Sequence, residues 1–210
     1  IQLSVLNSLQ LRFYSEGVYD ACAHSLKLLP KTTEESGPKF VFFHCLTPHP
    51  PHVFDENGKF IYVDPNVENR YKKKKEYTAQ VKFISNKMLE IIKQLKSNSA
   101  QEPIIIVQGD HGSASSERFE DEIYWQKYPS KELLVERYGI LNAIHIPEMY
   151  KMNFPTDHTP VNTFRVILNN LFKDTLQLLP SKSYFANYRK PYNFKLINWE
   201  AVSGSNSDSL

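Results

Sequence analysis

The sequence predicts an α/β domain built around parallel central strands, and three segments carry that prediction. Residues Phe40–Phe43 form a β-prone run that is apolar at every position, which is typical of a strand covered on both faces. Between Tyr71 and Leu95, apolar side chains recur at helical spacing with lysines and glutamates opposite, which predicts a long amphipathic helix. Ile104–Gln108 is predicted to be a second buried strand. Because a crossover helix joins parallel strands, these segments predict a βαβ unit.

Shorter elements flank the βαβ unit on its N-terminal side and follow its first strand. Apolar residues recur at helical spacing from Val18 to Leu29 and stop at Pro30, which predicts a helix over that range. Three prolines after Phe43 prevent the first strand from continuing, so Thr47–Gly58 is predicted to be an ordered, irregular loop.

The C-terminal part adds one strand and one helix. Gly139–Ile146 is predicted to be a strand that ends at Pro147. Thr159 and Pro160 predict a helix start, with the hydroxyl as the cap and proline at the first helical position, and apolar residues continue that helix to Phe172. We expect three parts in the chain: a helical lead-in over residues 1–38, an α/β domain over residues 39–200 and a flexible tail over residues 201–210.

The composition excludes several classes of function. The 210 residues carry 25 basic and 23 acidic side chains, and a formal charge of +2 gives no electrostatic basis for wrapping nucleic acid. No stretch reaches the roughly 20 apolar residues needed to span a bilayer. Of the two cysteines, Cys45 lies in an apolar run typical of a buried thiol and Cys22 fits a helix face. Whether the two pair stays open at this stage.

An adjacent acid and imidazole follow the second predicted strand directly. The run Gly109–Ser113 places Asp110 and His111 where that strand ends, with glycines that let the backbone turn sharply. A carboxylate beside an imidazole can supply two ligands to one divalent cation from a single turn. The alternative is an ordinary turn in which the Asp side chain bonds the local backbone.

Three histidines lie close together around the prolines of the first loop. His49 is the strongest candidate for contacting an anionic group, because the prolines stiffen the loop and an imidazole donates hydrogen bonds well to phosphoryl or sulfuryl oxygens. His44 is either a site residue or a hydrogen-bonded core histidine, and His52 could simply be exposed. Arg118 could reach back to an anion near Asp110, or it could form a surface ion pair.

Other catalytic motifs are missing from the sequence. It contains no Gly-x-Ser-x-Gly nucleophile elbow, no phosphate-binding Gly-x-x-x-x-Gly-Lys loop and no dinucleotide fingerprint. Metal-assisted group transfer is therefore the one mechanism with positive support in the residues.

Taken together, these motifs carry a family resemblance. Residues Phe40–Pro51, a long helix and Ile104–Ser113 resemble the C-terminal half of a sulfatase-like domain of the alkaline phosphatase superfamily, near the branch of the phosphoethanolamine transferases and lipoteichoic acid synthases. The match covers about Lys39–Asn193. The chain is most similar to bacterial, mostly membrane-anchored sulfatase-like proteins of unassigned substrate in four segments: Pro50–Asp55, Gln108–Gly112, Leu141–Ala143 and Thr159–Arg165.

The resemblance implies roles for particular residues. In that superfamily the Asp-His pair ligates the catalytic metal, which implies that Asp110 and His111 are metal ligands. The histidine of Pro-His-x-Pro contacts the transferred group, which implies that role for His49, and His44 keeps the spacing of a second histidine in the transferase branch. Zinc or manganese is the expected ion, with magnesium or calcium as alternatives. The implied fold is a three-layer sandwich with a mostly parallel central sheet.

The resemblance also implies that half of the active site lies outside this chain. The family nucleophile and the remaining acidic ligand belong to the N-terminal half of the domain, and residues 1–38 contain no recognisable counterpart. We therefore expect the isolated chain to be inactive and to need that N-terminal half as a partner. The expected substrate is a phosphate or sulfate ester on the extracytoplasmic side of a membrane. We expect the protein to contact that membrane only through a segment outside this chain. The rival expectation is a non-catalytic domain that binds or scaffolds.

Overall fold

The computed structural model describes residues 3–62, 74–113, 128–156 and 158–203. The chain divides into two compact units, residues 1–103 and residues 104–210, and each is described by itself. The first unit contains helices α1 (Leu3–Leu28) and α2 (Lys74–Asn98), with a short 3-10 helix over Leu29–Glu34. The second unit contains these helices and strands: β1 (Ile105–Gln108), α3 (Lys131–Tyr138), β2 (Asn142–His145), a 3-10 turn (Glu148–Tyr150), α4 (Pro160–Phe172), β3 (Tyr184–Asn187), β4 (Lys190–Leu196) and α5 (Trp199–Ser203).

The first unit is held together where the end of α1 meets α2. Leu26, Leu29 and Ile91 form a buried cluster, and partly buried apolar residues of both helices pack around it. The predicted long helix is confirmed as α2, and its apolar stripe supplies Ile91 to this core. The predicted helix at Val18 is also confirmed, although α1 begins well before that residue.

A tight turn closes the segment that leads away from the prolines. Phe54 and Phe60 face each other in an antiparallel bridge, and the chain reverses between them. Gly58 has a φ of +84°, and a Cβ built there would lie 2.4 Å from the ring of Phe83, so both the backbone conformation and the packing require glycine. The Tyr19 hydroxyl donates to the Gly58 carbonyl at 3.2 Å, which ties the turn to α1.

The predicted first strand is absent from the structure. Residues Phe40–Phe43 belong to no strand, and Phe40 and Phe42 are 76% and 80% exposed, whereas Phe43 packs against the helical core. A strand needs a neighbour that bonds its backbone groups, and the sheets of the described residues contain only the pairs β1–β2 and β3–β4. The prediction of a doubly covered strand at Phe40–Phe43 is therefore wrong for this chain.

The second predicted strand is confirmed, but its pairing is antiparallel. β1 pairs with β2 in a register that sets Ile105 opposite His145 and Gln108 opposite Asn142. Both described sheets are two-stranded and antiparallel, so no parallel pair is found among residues 3–62, 74–113, 128–156 and 158–203. The predicted strand at Gly139–Ile146 is confirmed as β2, which is shorter than expected.

The rest of the second unit packs helices against a hairpin that the sequence did not predict. Leu134 of α3, Phe185 of β3 and Ile197 form a buried cluster, and residues of α5 pack against it. Helix α4 begins at Pro160 as predicted, but Thr159 makes no capping hydrogen bond through its side chain, so that detail of the prediction is wrong. Residues 201–203 of the expected tail lie in α5. In the described part of the chain, no helix combines the length and the apolar character needed to cross a membrane.

Candidate functional site

The Asp-His-Gly turn (residues 109–113) begins where the β1–β2 pairing ends. The Gly109 amide donates to the Leu141 carbonyl at 2.9 Å, which extends the ladder one step beyond the strands. The Gln108 side-chain amide donates to the Asn142 side chain at 3.0 Å across the same end. The backbone is thus fixed up to the residue that precedes Asp110.

Helix α3 fixes the other side of the turn. The Gly112 amide donates to the Arg137 carbonyl at 2.7 Å, and Nη1 of Arg137 donates to the Gly112 carbonyl at 2.9 Å. The Ser113 hydroxyl donates to the Glu136 carboxylate. A Cβ on Gly112 would lie 1.8 Å from the Glu136 carbonyl oxygen, so the close approach of the helix backbone permits only glycine here. The third residue of the motif is therefore required by packing.

Asp110 and His111 present their side chains together on this turn. Oδ2 of Asp110 lies 3.5 Å from Nε2 of His111, and the two side chains are 88% and 40% exposed. The other oxygen, Oδ1, accepts from the His111 amide at 3.0 Å. The local backbone bond expected for an ordinary turn is thus present, and it leaves Oδ2 on the side of the imidazole.

Two partners compete for Nδ1 of His111. Nδ1 lies 2.9 Å from the Gly112 carbonyl oxygen and 2.6 Å from Nη1 of Arg137. A carbonyl only accepts and a guanidinium only donates, so each of these contacts requires a different tautomer. When Nδ1 is protonated it donates to Gly112, Arg137 donates to the same carbonyl, and Nε2 turns its lone pair toward Asp110. Metal-ligating histidines use this arrangement, in which a backbone carbonyl holds the second nitrogen.

The donor atoms of the turn fit a divalent metal ion in type and in spacing. A tetrahedral ion with bonds of about 2.0–2.1 Å separates neighbouring ligand atoms by about 3.3–3.4 Å, close to the 3.5 Å between Nε2 of His111 and Oδ2 of Asp110. Two donors are too few for a tight site. Within the described ranges, no three His, Cys, Asp or Glu side chains form a group that could hold a metal.

The proline-rich loop (residues 44–54) carries His49 in the first unit, and buried Gln80 of α2 holds it. Gln80 is 0% exposed; its side-chain oxygen accepts from the Phe54 amide at 3.1 Å, and its nitrogen donates to the His49 carbonyl at 3.4 Å. The His49 amide donates to the Leu46 carbonyl at 2.7 Å, and Nδ1 of the exposed ring donates to the Pro50 carbonyl at 2.6 Å. Gln80 and the loop together therefore orient the His49 backbone, and the Pro50 carbonyl orients its ring.

The two other histidines of the loop differ from expectation. His52 is buried between Gln80 and Tyr77 of α2. Its Nδ1 accepts a hydrogen bond from the Gln80 side chain at 3.3 Å, and its ring meets the Tyr77 ring edge-on with centroids 5.9 Å apart. The prediction of an exposed His52 is wrong. His44 is exposed and stacks near Phe42, with ring centroids 6.2 Å apart, so the core alternative for His44 is wrong as well.

The predicted site residues fall into both compact units. His44 and His49 lie in the first unit, and Asp110 and His111 lie together in the second. Arg118 lies outside the described residues.

The sequence analysis missed two residues that hold these segments, Arg137 and Gln80. A polar residue within the apolar stripe of α2 is the signal that would have found Gln80. Ser130 accepts a hydrogen bond from the Leu133 amide, and this cap just before α3 would have pointed to the helix that carries Arg137.

Comparison with known proteins places the proline-rich loop and the Asp-His-Gly turn within one family match. A family model described as Sulfatase matches residues 14–164, which is more than half of the 210-residue chain and includes both the proline-rich loop and the Asp-His-Gly turn. No curated protein and no solved structure matches the chain. On the strength of the family match, the chain belongs to the sulfatase family.

Proposed function

We propose that this chain is the C-terminal part of a metal-dependent domain that transfers a phosphoryl or sulfuryl group. Membership of the sulfatase family supports sulfuryl- or phosphoryl-transfer chemistry in general, and domains of this family generally use a divalent metal ion. The observation that carries the proposal is the pair of donors on the Asp-His-Gly turn, Oδ2 of Asp110 and Nε2 of His111, 3.5 Å apart on a backbone fixed from both sides.

In this proposal each residue has a chemical role that its surroundings support. Asp110 and His111 hold the ion, and His111 offers Nε2 in the tautomer that donates from Nδ1 to the Gly112 carbonyl. When bound, the ion supplies a Lewis acid and lowers the pKa of a nucleophilic hydroxyl. The Nδ1 bond to the Pro50 carbonyl leaves Nε2 of His49 to face an oxygen of the transferred group, to which it donates a hydrogen bond when the ring carries both protons. Imidazole and carboxylate ligands suit zinc or manganese.

The N-terminal half of the same domain is the proposed partner. Phe40 and Phe42 are largely exposed although their segment has strong β propensity, which is the surface that a neighbouring strand from that half would cover. That half would also bring the nucleophile and the remaining acidic ligand. The proposed substrate is an envelope-associated phosphate or sulfate ester, and the proposed location is extracytoplasmic.

Metal content provides the first test of the proposal. The protein is produced together with the region N-terminal to this chain, and bound zinc and manganese are measured by elemental analysis. We expect Asp110→Asn to weaken metal binding by more than the about 10- to 100-fold that loss of an outer-sphere partner costs. Asp174→Asn is the matched control, because Oδ1 of Asp174 also accepts from the next amide, at 2.8 Å. Equal metal content in both variants would refute the assignment of Asp110.

Turnover provides the second test and separates the two ester classes. Hydrolysis of bis(p-nitrophenyl) phosphate and of p-nitrophenyl sulfate is measured for the wild type, for His49→Ala and for a control, His24→Ala, at an exposed helical position. We expect His49→Ala to lower turnover by about 100- to 1,000-fold with metal content retained. Parallel loss of metal and turnover would reassign His49 as a ligand.

The competing proposal is a sulfatase-like domain that binds or scaffolds without catalysis. The observation that favours it is that the described residues bring only two metal donors together on the turn. Such a protein would contain no metal with its N-terminal region present, would turn over neither ester, and would be indifferent to both Asp110→Asn and His49→Ala.

A further inference from the structure

The two cysteines of the chain meet in the first unit. Sγ of Cys22, on α1, lies 3.0 Å from Sγ of Cys45, which follows His44 at the start of the proline-rich loop. Both side chains are partly buried and both thiols are free. A disulfide bond is about 2.05 Å long, so the two sulfur atoms need to approach by only about 1 Å to form one.

The surroundings of the pair favour a thiolate on Cys45. The Cys22 thiol donates a hydrogen bond to Cys45, and the backbone and hydroxyl of Thr47 add to it, which together lower the pKa of Cys45 to about 6 despite its burial. The same contact with Cys45, followed by burial, raises the pKa of Cys22. The thiolate is the nucleophile of thiol–disulfide exchange, so Cys45 is the sulfur that reacts first.

We propose that Cys22 and Cys45 are the site of an intramolecular disulfide, formed by exchange with a low-molecular-weight disulfide. The Cys45 thiolate attacks one sulfur of the reagent disulfide, which forms a mixed disulfide and releases one thiolate. The Cys22 thiol then loses its proton and attacks Sγ of Cys45, which releases the second thiolate. The protein loses two protons and two electrons, and the reagent disulfide is reduced to two thiols.

The bond would join α1 covalently to the start of the proline-rich loop. Cys45 lies between His44 and Leu46, whose carbonyl accepts from the His49 amide. The disulfide would therefore fasten the start of the loop that carries the two exposed histidines. This inference concerns the first unit and does not depend on a metal at the Asp-His-Gly turn, so the two proposals fail separately.

Peptide mapping tests the proposal directly on the full chain. The protein is oxidised with glutathione disulfide, remaining thiols are alkylated, and the product is digested with trypsin without reduction. We expect the peptides of residues 13–27 and 40–59, which contain the only two cysteines, to be recovered as one linked species. The variants Cys22→Ser and Cys45→Ser should each carry a single glutathione adduct and no link. Two alkylated thiols, two glutathione adducts or links between chains in the wild type would each overturn the proposal.

The glutathione redox ratio at half-oxidation shows whether the fold brings the sulfurs together. A bond matched to the native structure should form with an effective thiol concentration roughly 100-fold higher in the folded protein than in the chain unfolded in guanidinium. If the folded protein favours the bond by this ratio of effective concentrations, the bond stabilises the folded state by the same ratio, so oxidation should raise the thermal midpoint of the first unit. Equal effective concentrations in the folded and unfolded protein would show that the native fold does not favour the bond and would overturn the proposal.

Discussion

Replacing Gln80 with leucine should release the proline-rich loop while leaving α2 intact. Gln80 is fully buried, and its side chain accepts from the Phe54 amide and donates to Nδ1 of His52 and to the His49 carbonyl. Leucine has a similar volume and high helix propensity but can make none of these bonds. The change therefore isolates the contribution of the hydrogen bonds.

The free-energy cost of Gln80→Leu depends on whether water can replace Gln80 at each of its three hydrogen-bond partners. The Phe54 amide and the His52 ring belong to buried residues, and each buried polar group left unsatisfied costs about 1–3 kcal/mol. The His49 carbonyl belongs to an exposed residue, so water can replace that bond at little cost. Leucine regains part of the loss through apolar burial, and we expect a net cost of about 3 kcal/mol.

Hydrogen exchange of the Phe54 amide measures this cost locally. A loss of about 3 kcal/mol lowers the protection of that amide by roughly 100-fold. Gln94→Leu on the same helix is the matched control, because the Gln94 side chain donates to Glu90 in an exposed contact. This change should alter the protection of the Phe54 amide less than about twofold. If Gln80→Leu and Gln94→Leu leave the Phe54 amide equally protected, the argument that Gln80 holds the loop is refuted.

Three further predictions concern the turns and the cap. Gly112→Ala should destabilise the second unit by about 3 kcal/mol or more in urea unfolding, because the added Cβ would overlap the Glu136 carbonyl. The control Gly17→Ala has open space around the added Cβ and should be neutral or stabilising. Equal effects of the two substitutions would contradict the packing argument. Hydrogen bonds from backbone amides, first that of Lys59, lower the pKa of Asp55 in the folded state. The Asp55 carboxylate therefore stabilises the fold fully above its unfolded pKa of about 4, and this stabilisation is lost as the pH falls through the folded pKa. Asp55→Asn should lack this step in unfolding measured against pH, and an unchanged profile would rule it out. Ser130→Ala removes the cap of α3 and should cost about 1 kcal/mol in a thermal melt followed by tryptophan fluorescence; no change would mean that another group caps the helix.

The sequence predicted helices better than sheet pairing. The stripe of α2 repeats over many turns, and its interpretation depends only on local spacing. The run at Phe40–Phe43 has the composition of a central strand, and family membership implies an alkaline phosphatase-like α/β fold, but a strand exists only where a neighbour pairs with it. The hairpin of β3 and β4 was missed although Tyr192, Phe194 and Leu196 alternate with polar residues along β4, which is the sequence pattern of a strand. Every residue of β4 is nevertheless exposed in the structure.

The candidate site was predictable where its residues are neighbours in sequence. Asp110 and His111 are adjacent in sequence, so a single turn brings both side chains together, as the motif predicts. Arg137 and Gln80 act on His111 and His49 from helices far away along the chain, and only the tertiary structure shows those contacts. His52 was misjudged for the same reason, since its burial depends on a helix that follows it.

The two hydrogen bonds between Gly112 and Arg137 mean that the Asp-His-Gly turn depends on a helix elsewhere in the chain. The Gly112 amide and carbonyl both bond to Arg137 of α3, and residues 114–130 separate the motif from that helix in the sequence. A fragment that ended at Ser113, or a graft of the five motif residues into another hairpin, would keep the side chains of Asp110 and His111 and lose the hydrogen bonds to α3. A designed protein that uses this motif would therefore need to include α3 as well.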